Sequence, residues 1–208
     1  MACQFLPPNV NGYSAYCPYN GPNLTKARRL VAASGTKGQP VTIWIYDIPA
    51  GHRNAAYLVP VLRSIGYKAR VEYVPHTPGN LTWRRDRQAG VQGWGGDYPS
   101  ASNIFLAFLC SSYTTDPKKS NGNFAGICDR HLDAQVARAR SLETTNPAAA
   151  AGAWHRADRM LTDAAPWLPM KVFVSTDFVA RRVGNYRYCW VSGGSGMTGA
   201  CLDQLWVR

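Results

Sequence analysis

The sequence predicts an α/β fold in which one mixed β-sheet is flanked by helices. Segments with the composition of buried strands alternate with segments of helical period, and several helical segments are bounded by residues that start or stop helices. This alternation is the pattern of α/β domains. The chain has 208 residues, 46% of them hydrophobic, which is enough to bury a core and excludes compositional disorder.

The first half of the chain is predicted to alternate regularly after an extended, turn-rich start. Asn23 is a good N-cap for the first helix, and Gly35 and Gly66 are good residues to follow the first and second helices. Pro60 is expected to bend the second helix or shift its start. We expect helices over 24–34 and 52–65, strands over 41–46 and 69–74, a loop over 75–80, a short helix over 81–88 and a short strand over 91–95.

The second half is predicted to be richer in helices. Ser102 or Asn103 is expected to cap a short apolar helix through Leu109, and Asn146 with Pro147 is expected to open a long one. Beyond these, we expect a polar loop over 111–127, helices over 129–142 and 147–165, and strands over 170–175, 178–183 and 202–207.

The net charge of +11, from 23 basic and 12 acidic residues, first suggests an anionic partner. The basic residues are dispersed, however, and the densest group, Trp83–Arg87, is interrupted by Asp86. Dispersed charge is typical of a solvated surface, so nucleic acid is not the expected partner, and a basic nucleic-acid-binding domain is the weaker alternative. The longest apolar run, 104–110, is far shorter than the roughly 18 residues of a membrane-spanning helix.

The six cysteines form three couples that are close in sequence. Cys3 and Cys17, Cys110 and Cys128, and Cys189 and Cys201 are 14, 18 and 12 residues apart, and each couple brackets a stretch rich in turn-forming residues. We expect three local disulfides and an oxidising compartment. Six cysteines allow 15 connectivities, and six unrelated buried thiols are the alternative. The first residues lack a secretory signal, which we interpret as a fragment of a longer exported protein.

The sequence offers no constellation for catalysis, a metal or a cofactor. The two glutamates are far apart and neither lies beside another acid, so paired-carboxylate catalysis has no candidate. The glycine-rich stretch 192–196 lacks the strand and the Lys-Ser/Thr pair of a phosphate loop. The histidines have no zinc-binding spacing and are expected at the surface; they are His52, His76, His131 and His155. We therefore expect neither an enzyme nor a cofactor.

A series of motifs, taken in order, resembles the C-terminal lobe of the family 5 solute-binding proteins of bacterial ABC importers, which bind oligopeptides and dipeptides. The most specific of them is Gly-Trp-Gly-Gly-Asp-Tyr-Pro at 93–99, similar to the family's GWxxDYPDP. The others are Gln4–Pro8 with Gly12-Tyr13 and Pro18-Tyr19, the helix 27–35, the turn 62–67, Asp133 in its helix, and Ala164–Pro169. The resemblance covers essentially the whole chain.

The resemblance implies a periplasmic-binding-protein-like lobe that closes with a second lobe over a ligand. Asp97 matches the acid that pairs with a peptide's N-terminal ammonium, and its alternative role is to cap the turn and the helix that follows. Trp94 is expected to line the cleft, with a core tryptophan as the alternative, and Tyr98 is assigned to the same ligand site. The family's usual acid and second proline are replaced here by Ser100-Ala101-Ser102, which leaves the ligand class open.

The resemblance also implies the organisation and partners of a larger protein. Residues 1–23 are expected to be a hinge-proximal segment and 24–208 one C-terminal α/β lobe. The expected partners are a peptide or other small solute, the N-terminal lobe of the same parent protein and the permease subunits of an ABC transporter. The expected location is periplasmic or extracellular, with the parent protein anchored to the membrane or associated with the cell envelope. A sensor module of a larger regulatory protein is the alternative function.

Overall fold

The computed structural model of the chain describes residues 2–76, 88–98, 100–114, 116, 122–174, 176–187 and 201–208. It divides into two compact units, which we describe separately. We call residues 19–93 and 114–124 the sheet unit, and residues 1–18, 94–113 and 125–208 the helical unit. The expectation that 1–23 is a hinge-proximal segment and 24–208 a single lobe stays a prediction.

The sheet unit is built on a three-stranded parallel sheet. Strand β1 (Pro40–Tyr46) lies in the middle, between β2 (Lys68–Val74) and β3 (Ala89–Gly90). Helix α1 (Leu24–Ala33) precedes β1, and helix α2 (Pro49–Ser64) connects β1 to β2. The core of this unit lies between α2 and the sheet, and consists of Ile43, Ile45, Ala55, Val59 and Ala69.

The predicted helix ends in the sheet unit follow local chemistry. The side chain of Asn23 accepts a hydrogen bond from the Lys26 amide at 2.8 Å, as expected of an N-cap. Gly35 and Gly66, which follow α1 and α2, have φ angles of +71° and +115°, in the region that favours glycine. Helix α2 begins earlier than predicted, with Pro49 in its first turn, and continues through Pro60.

The helical unit contains three α-helices and a small antiparallel ladder among its described residues. The helices are α3 (Ala101–Phe105), α4 (Arg130–Leu142) and α5 (Pro147–Ala164), and strands β4 (Val183–Gly184) and β5 (Trp206–Val207) form the ladder. Short 3₁₀ turns lie at Leu106–Phe108, Cys110–Ser112 and Leu202–Gln204. Helices α4 and α5 pack together, and their apolar faces meet the side chains of Leu6, Val10, Phe105 and Phe108 in one core. No helix in the described ranges is both long and apolar enough to span a membrane.

The α/β class is confirmed, but the described strands do not form one mixed sheet. The three-stranded sheet is parallel, and the antiparallel pair β4–β5 is a separate ladder. The predicted strands at 170–175 and 178–183 are wrong for the residues described there, apart from Val183 in β4. A β-rich composition forms a strand only where a neighbouring backbone can pair with it. The short strand predicted at 91–95 lies instead at 89–90, and the helix predicted at 81–88 falls almost entirely outside the described residues.

Two disulfides whose cysteines are both described tie the helical unit. Cys3 is bonded to Cys17 and Cys110 to Cys128, which are two of the couples that the sequence analysis pairs locally. Cys201 is also disulfide-bonded. Its expected partner, Cys189, lies outside the described residues.

Candidate functional site

The predicted ligand residues lie on the loop that leads into α3, in the helical unit. Asp97 and Tyr98 are both exposed on this loop, and Trp94 is half-buried. Among the described residues, the carboxylate of Asp97 makes one long contact, 3.5 Å from Oδ2 to Nδ2 of Asn103, whose own side chain is buried. An exposed acceptor with such a weak protein contact is chemically available to a cation on a ligand.

The helix-capping part of the alternative for Asp97 does not fit the structure, because another residue caps the helix. Ser100 is the N-cap of α3, and its Oγ accepts from the Ser102 amide at 3.1 Å. The predicted caps, Ser102 and Asn103, are therefore wrong by two or three residues, and Asp97 lies before the cap. The ligand role of Asp97 stays a prediction, and Asp97 is not the N-cap of α3.

Trp94 is anchored to the core of the helical unit. Its ring packs against the buried cluster, and its indole N–H donates to the backbone oxygen of Asn103 at 3.0 Å, with the side-chain oxygen of Asn103 at 3.3 Å. This arrangement fits the alternative of a core tryptophan, while its expected role in lining a cleft stays a prediction. Asn103 contacts both Trp94 and Asp97, so it holds the two ends of the loop.

A hydrogen-bonded chain behind Tyr98 was not predicted from the sequence. The Ser102 hydroxyl donates to the Tyr98 phenolic oxygen at 3.2 Å, and Ser100 Oγ lies 2.9 Å from Ser102 Oγ. Ser100 in turn donates to Oε1 of Glu143 at 2.7 Å, and the same oxygen accepts from the indole of Trp154 at 3.1 Å. The available signal was Ser100-Ala101-Ser102 in place of the family's acid, since paired hydroxyls favour a polar partner.

A second group of polar and aromatic side chains lies at the carboxyl edge of the parallel sheet, in the sheet unit. His52 Nε2 is 2.8 Å from Oδ1 of Asp47, and the His52 ring lies over Tyr73 with centroids 4.3 Å apart. Tyr46 and His76 form an edge-on pair, with centroids 4.6 Å apart. Ligands of open α/β sheets bind at this edge. Both histidines are exposed, as the sequence analysis expects, and they lie near the ends of β1 and β2.

Comparison with known proteins places these features in a larger context. No family model matches the chain. Over 177 residues the chain is 27% identical to a probable di/tripeptide-binding protein 5 of Pseudomonas aeruginosa, an alignment that covers 81% of this chain and 32% of that protein. The chain is homologous to bacterial di/tripeptide-binding proteins. The chain is also 26% identical, over 188 residues, to heme-binding protein A of Haemophilus influenzae. The relatives' names therefore cover more than one kind of ligand.

Solved structures of other proteins share the fold of this chain. Its structure superposes on clavulanic acid biosynthesis oligopeptide binding protein 2 with a TM-score of 0.80 at 20% identity, covering 100% of this chain and 38% of the other. It matches the periplasmic binding protein DppA of Helicobacter pylori, solved with a peptide, with a TM-score of 0.68 at 17% identity, over 81% of this chain and 32% of that one. The chain thus has a periplasmic-binding-protein fold, and it spans about a third of the length of the curated relatives that it matches.

Proposed function

We propose that the chain is the C-terminal, ligand-binding lobe of an exported substrate-binding protein that captures peptides or similar solutes for an ABC transporter. The observation that carries this proposal is the exposed loop with Asp97 and Tyr98, in a chain homologous to di/tripeptide-binding proteins. Asp97 offers a carboxylate to an ammonium group and Tyr98 offers a phenol. Binding needs no bond to be made or broken, so the proposed function is non-enzymatic.

The proposed setting is outside the cytoplasm, in the periplasm or at the cell surface. The relatives include a periplasmic binding protein, and disulfides persist in oxidising compartments. We propose that the parent protein is anchored to or associated with the cell envelope, where it delivers ligand to the permease subunits of the transporter. The second lobe that would complete the ligand cleft is proposed to belong to the same parent protein.

Peptide binding by the chain itself is expected to be weak and to depend on Asp97. One lobe supplies only part of the contacts and does not enclose the ligand, so we expect millimolar affinity for trialanine. A charge-assisted hydrogen bond between Asp97 and the ammonium contributes about 1.5 kcal/mol, so Asp97→Asn should raise the Kd about tenfold. N-acetylation of trialanine, which removes the ammonium, should have the same effect. Titration of ¹⁵N-labelled protein by NMR detects binding in this range.

The control for this titration is the same substitution at another exposed acid. Asp203→Asn, in the 3₁₀ turn near the C-terminal end, should leave the Kd for trialanine unchanged. The proposal is contradicted if a folded chain shows no shifts at millimolar trialanine. The role of Asp97 is contradicted if free and N-acetylated peptides bind the chain equally well.

The second lobe is expected to cover an exposed apolar segment of the helical unit. Val174 and Phe178 are 88% and 97% exposed, and residues 171–174 and 176–179 form no backbone–backbone hydrogen bonds with other described residues. Such a segment is a ready partner for an added β-strand. Hydrogen exchange at 171–179 is therefore expected to be fast in the chain alone and slow when the polypeptide of the second lobe is added. Phe178→Asp should abolish that protection, whereas Tyr57→Asp, at an exposed aromatic of the sheet unit, should not.

Two results would contradict this part of the proposal. Slow exchange over 171–179 in the monomeric chain would mean that the segment is already paired within the chain. Protection that rises with the concentration of the chain alone, together with a doubled mass in light scattering, would identify a second copy as the partner.

A further inference from the structure

We infer that Glu143 is a positioning residue for the ligand site: acting through Ser100 and Ser102, it holds the Tyr98 phenol so that its proton is donated to an acceptor on the ligand. The inference rests on the proposed function, because it assigns a role to a residue behind the proposed site. It extends the ligand chemistry from a cation at Asp97 to a hydrogen-bond acceptor at Tyr98.

The direction of the hydrogen bonds follows from which groups can donate and from the geometry of each contact. An ionised carboxylate only accepts, so the contacts of Glu143 take the hydroxyl proton of Ser100 and the indole proton of Trp154. The Ser100 oxygen then accepts from the Ser102 amide. The geometry at Tyr98 makes the Ser102 hydroxyl the donor there, so Ser102 is linked to Ser100 through its amide rather than through its hydroxyl. The phenol proton of Tyr98 is therefore left to be donated elsewhere.

Glu143 is well placed to make this chain rigid. It directly follows α4, and its carboxylate is tied to Trp154 of α5, whose side chain is completely buried. Ser102 is itself 93% buried, so the two serines connect a packed interior to a phenol that is 42% exposed. A phenol that is held by a buried network loses less rotamer freedom on binding than a free one, which favours affinity.

The same arrangement accounts for a departure of the sequence from the family pattern. An acid usually follows Tyr-Pro in the motif, and here Ser100 stands in that region. The carboxylate comes instead from Glu143, 43 residues further along the chain, and lies 2.7 Å from the Ser100 hydroxyl. The loop thus keeps a negative charge behind it while presenting a hydroxyl network and a phenol. A ligand that carries both an ammonium and a carbonyl or carboxylate group matches Asp97 and Tyr98 together.

A double-mutant cycle measured with trialanine tests the inference. Glu143→Ala and Tyr98→Phe are each expected to raise the Kd about tenfold, and the double variant should bind no worse than Tyr98→Phe alone. Such coupling is expected only if Glu143 acts through Tyr98, since the changes in binding free energy caused by two independent substitutions would add. Glu143→Gln keeps an acceptor for Ser100 and should retain most of the affinity. The control, Ser141→Ala, removes an exposed hydroxyl that bonds within its own helix and should leave the Kd unchanged.

A second measurement needs no ligand and separates this inference from the proposed function. Nitration of Tyr98 by tetranitromethane, followed by peptide mapping, is expected to accelerate several-fold in Glu143→Ala and in Ser100→Ala, because the phenol is no longer held. Nitration of Tyr57 serves as the internal reference. If wild type binds no trialanine but nitration accelerates, the proposed function fails while the network stands. Unchanged nitration of Tyr98, or additive losses of affinity in the cycle, would overturn the inference.

Discussion

Replacing Gly51 with alanine is expected to destabilise the sheet unit strongly. A Cβ built on Gly51 would lie 2.0 Å from the carbonyl oxygen of Tyr46 and 2.7 Å from Cγ2 of Ile45. The oxygen belongs to the backbone of β1 and cannot move aside, so the first turn of α2 must shift away from the sheet. We expect a loss of about 3 kcal/mol in the free energy of unfolding, at the upper end for overpacking. Urea unfolding followed by circular dichroism measures this loss.

The matched control is Gly152→Ala, in the middle of α5. A Cβ at Gly152 would meet only the end of the flexible Arg156 side chain, at 3.7 Å. Alanine at an unobstructed helix position stabilises by about 0.5–1 kcal/mol, so the two substitutions are expected to have opposite signs. Equal effects of Gly51→Ala and Gly152→Ala would show that helix propensity, rather than the contact with β1, determines the outcome.

Features that depend on neighbours in sequence could be predicted. Asn23 and Asn146 accept hydrogen bonds from the third amide that follows each of them, as their positions before helical segments indicate. The segment now assigned to β1 was recognisable from its β-branched and aromatic residues, and two cysteine couples were recognisable from the turn-rich loops that they close. In each case the interaction that determines the structure joins residues that are within about 20 positions of each other in the sequence.

Features that depend on distant partners could not be predicted. The segments around Phe173 and Phe178 have the composition of strands, but no described backbone pairs with them. High β-propensity alone does not supply a partner strand. Glu143 joins the candidate site through Ser100, 43 residues away, and nothing in the local sequence of α4 indicates this contact. The position of Asp97 on the loop before α3 was predictable from its motif. That Asp97 does not cap α3 was not predictable, because it depends on the residue at which α3 begins.

Asp158→Asn is expected to loosen the N-terminal segment and lower the free energy of unfolding by about 3 kcal/mol. The Asp158 side chain is only 1% exposed, and its two oxygens accept from the Gln4 side chain at 2.6 Å and from the amides of Phe5 and Leu6 at 3.0 and 3.3 Å. An amide cannot replace both acceptors, so one NH₂ group must face another. Gln4 cannot flip to relieve this, because its own oxygen accepts from the Tyr16 amide at 2.6 Å.

The loss in the free energy of unfolding caused by Asp158→Asn should also depend on pH. Burial of the carboxyl determines whether this loss grows or shrinks on acidification. Burial raises the pKa of the Asp158 carboxyl above its ordinary value of 3.8, while the hydrogen bonds from Phe5, Gln4 and Leu6 oppose the shift. The folded state therefore binds this proton more tightly than the unfolded state does. The resulting stabilisation is complete below pH 3.8 and is lost as the pH rises through the folded pKa.

Wild type should consequently exceed Asp158→Asn in stability by more at pH 4.5 than at pH 7, a comparison that urea unfolding at the two pH values provides. Asp163→Asn, the same change on an exposed acid that bonds Tyr16 from the end of α5, is the control and should cost much less. If the difference in the free energy of unfolding between wild type and Asp158→Asn becomes smaller on acidification, the hydrogen bonds affect the pKa of Asp158 more than burial does. Asp158 would then hold the N-terminal segment chiefly as an ionised acceptor.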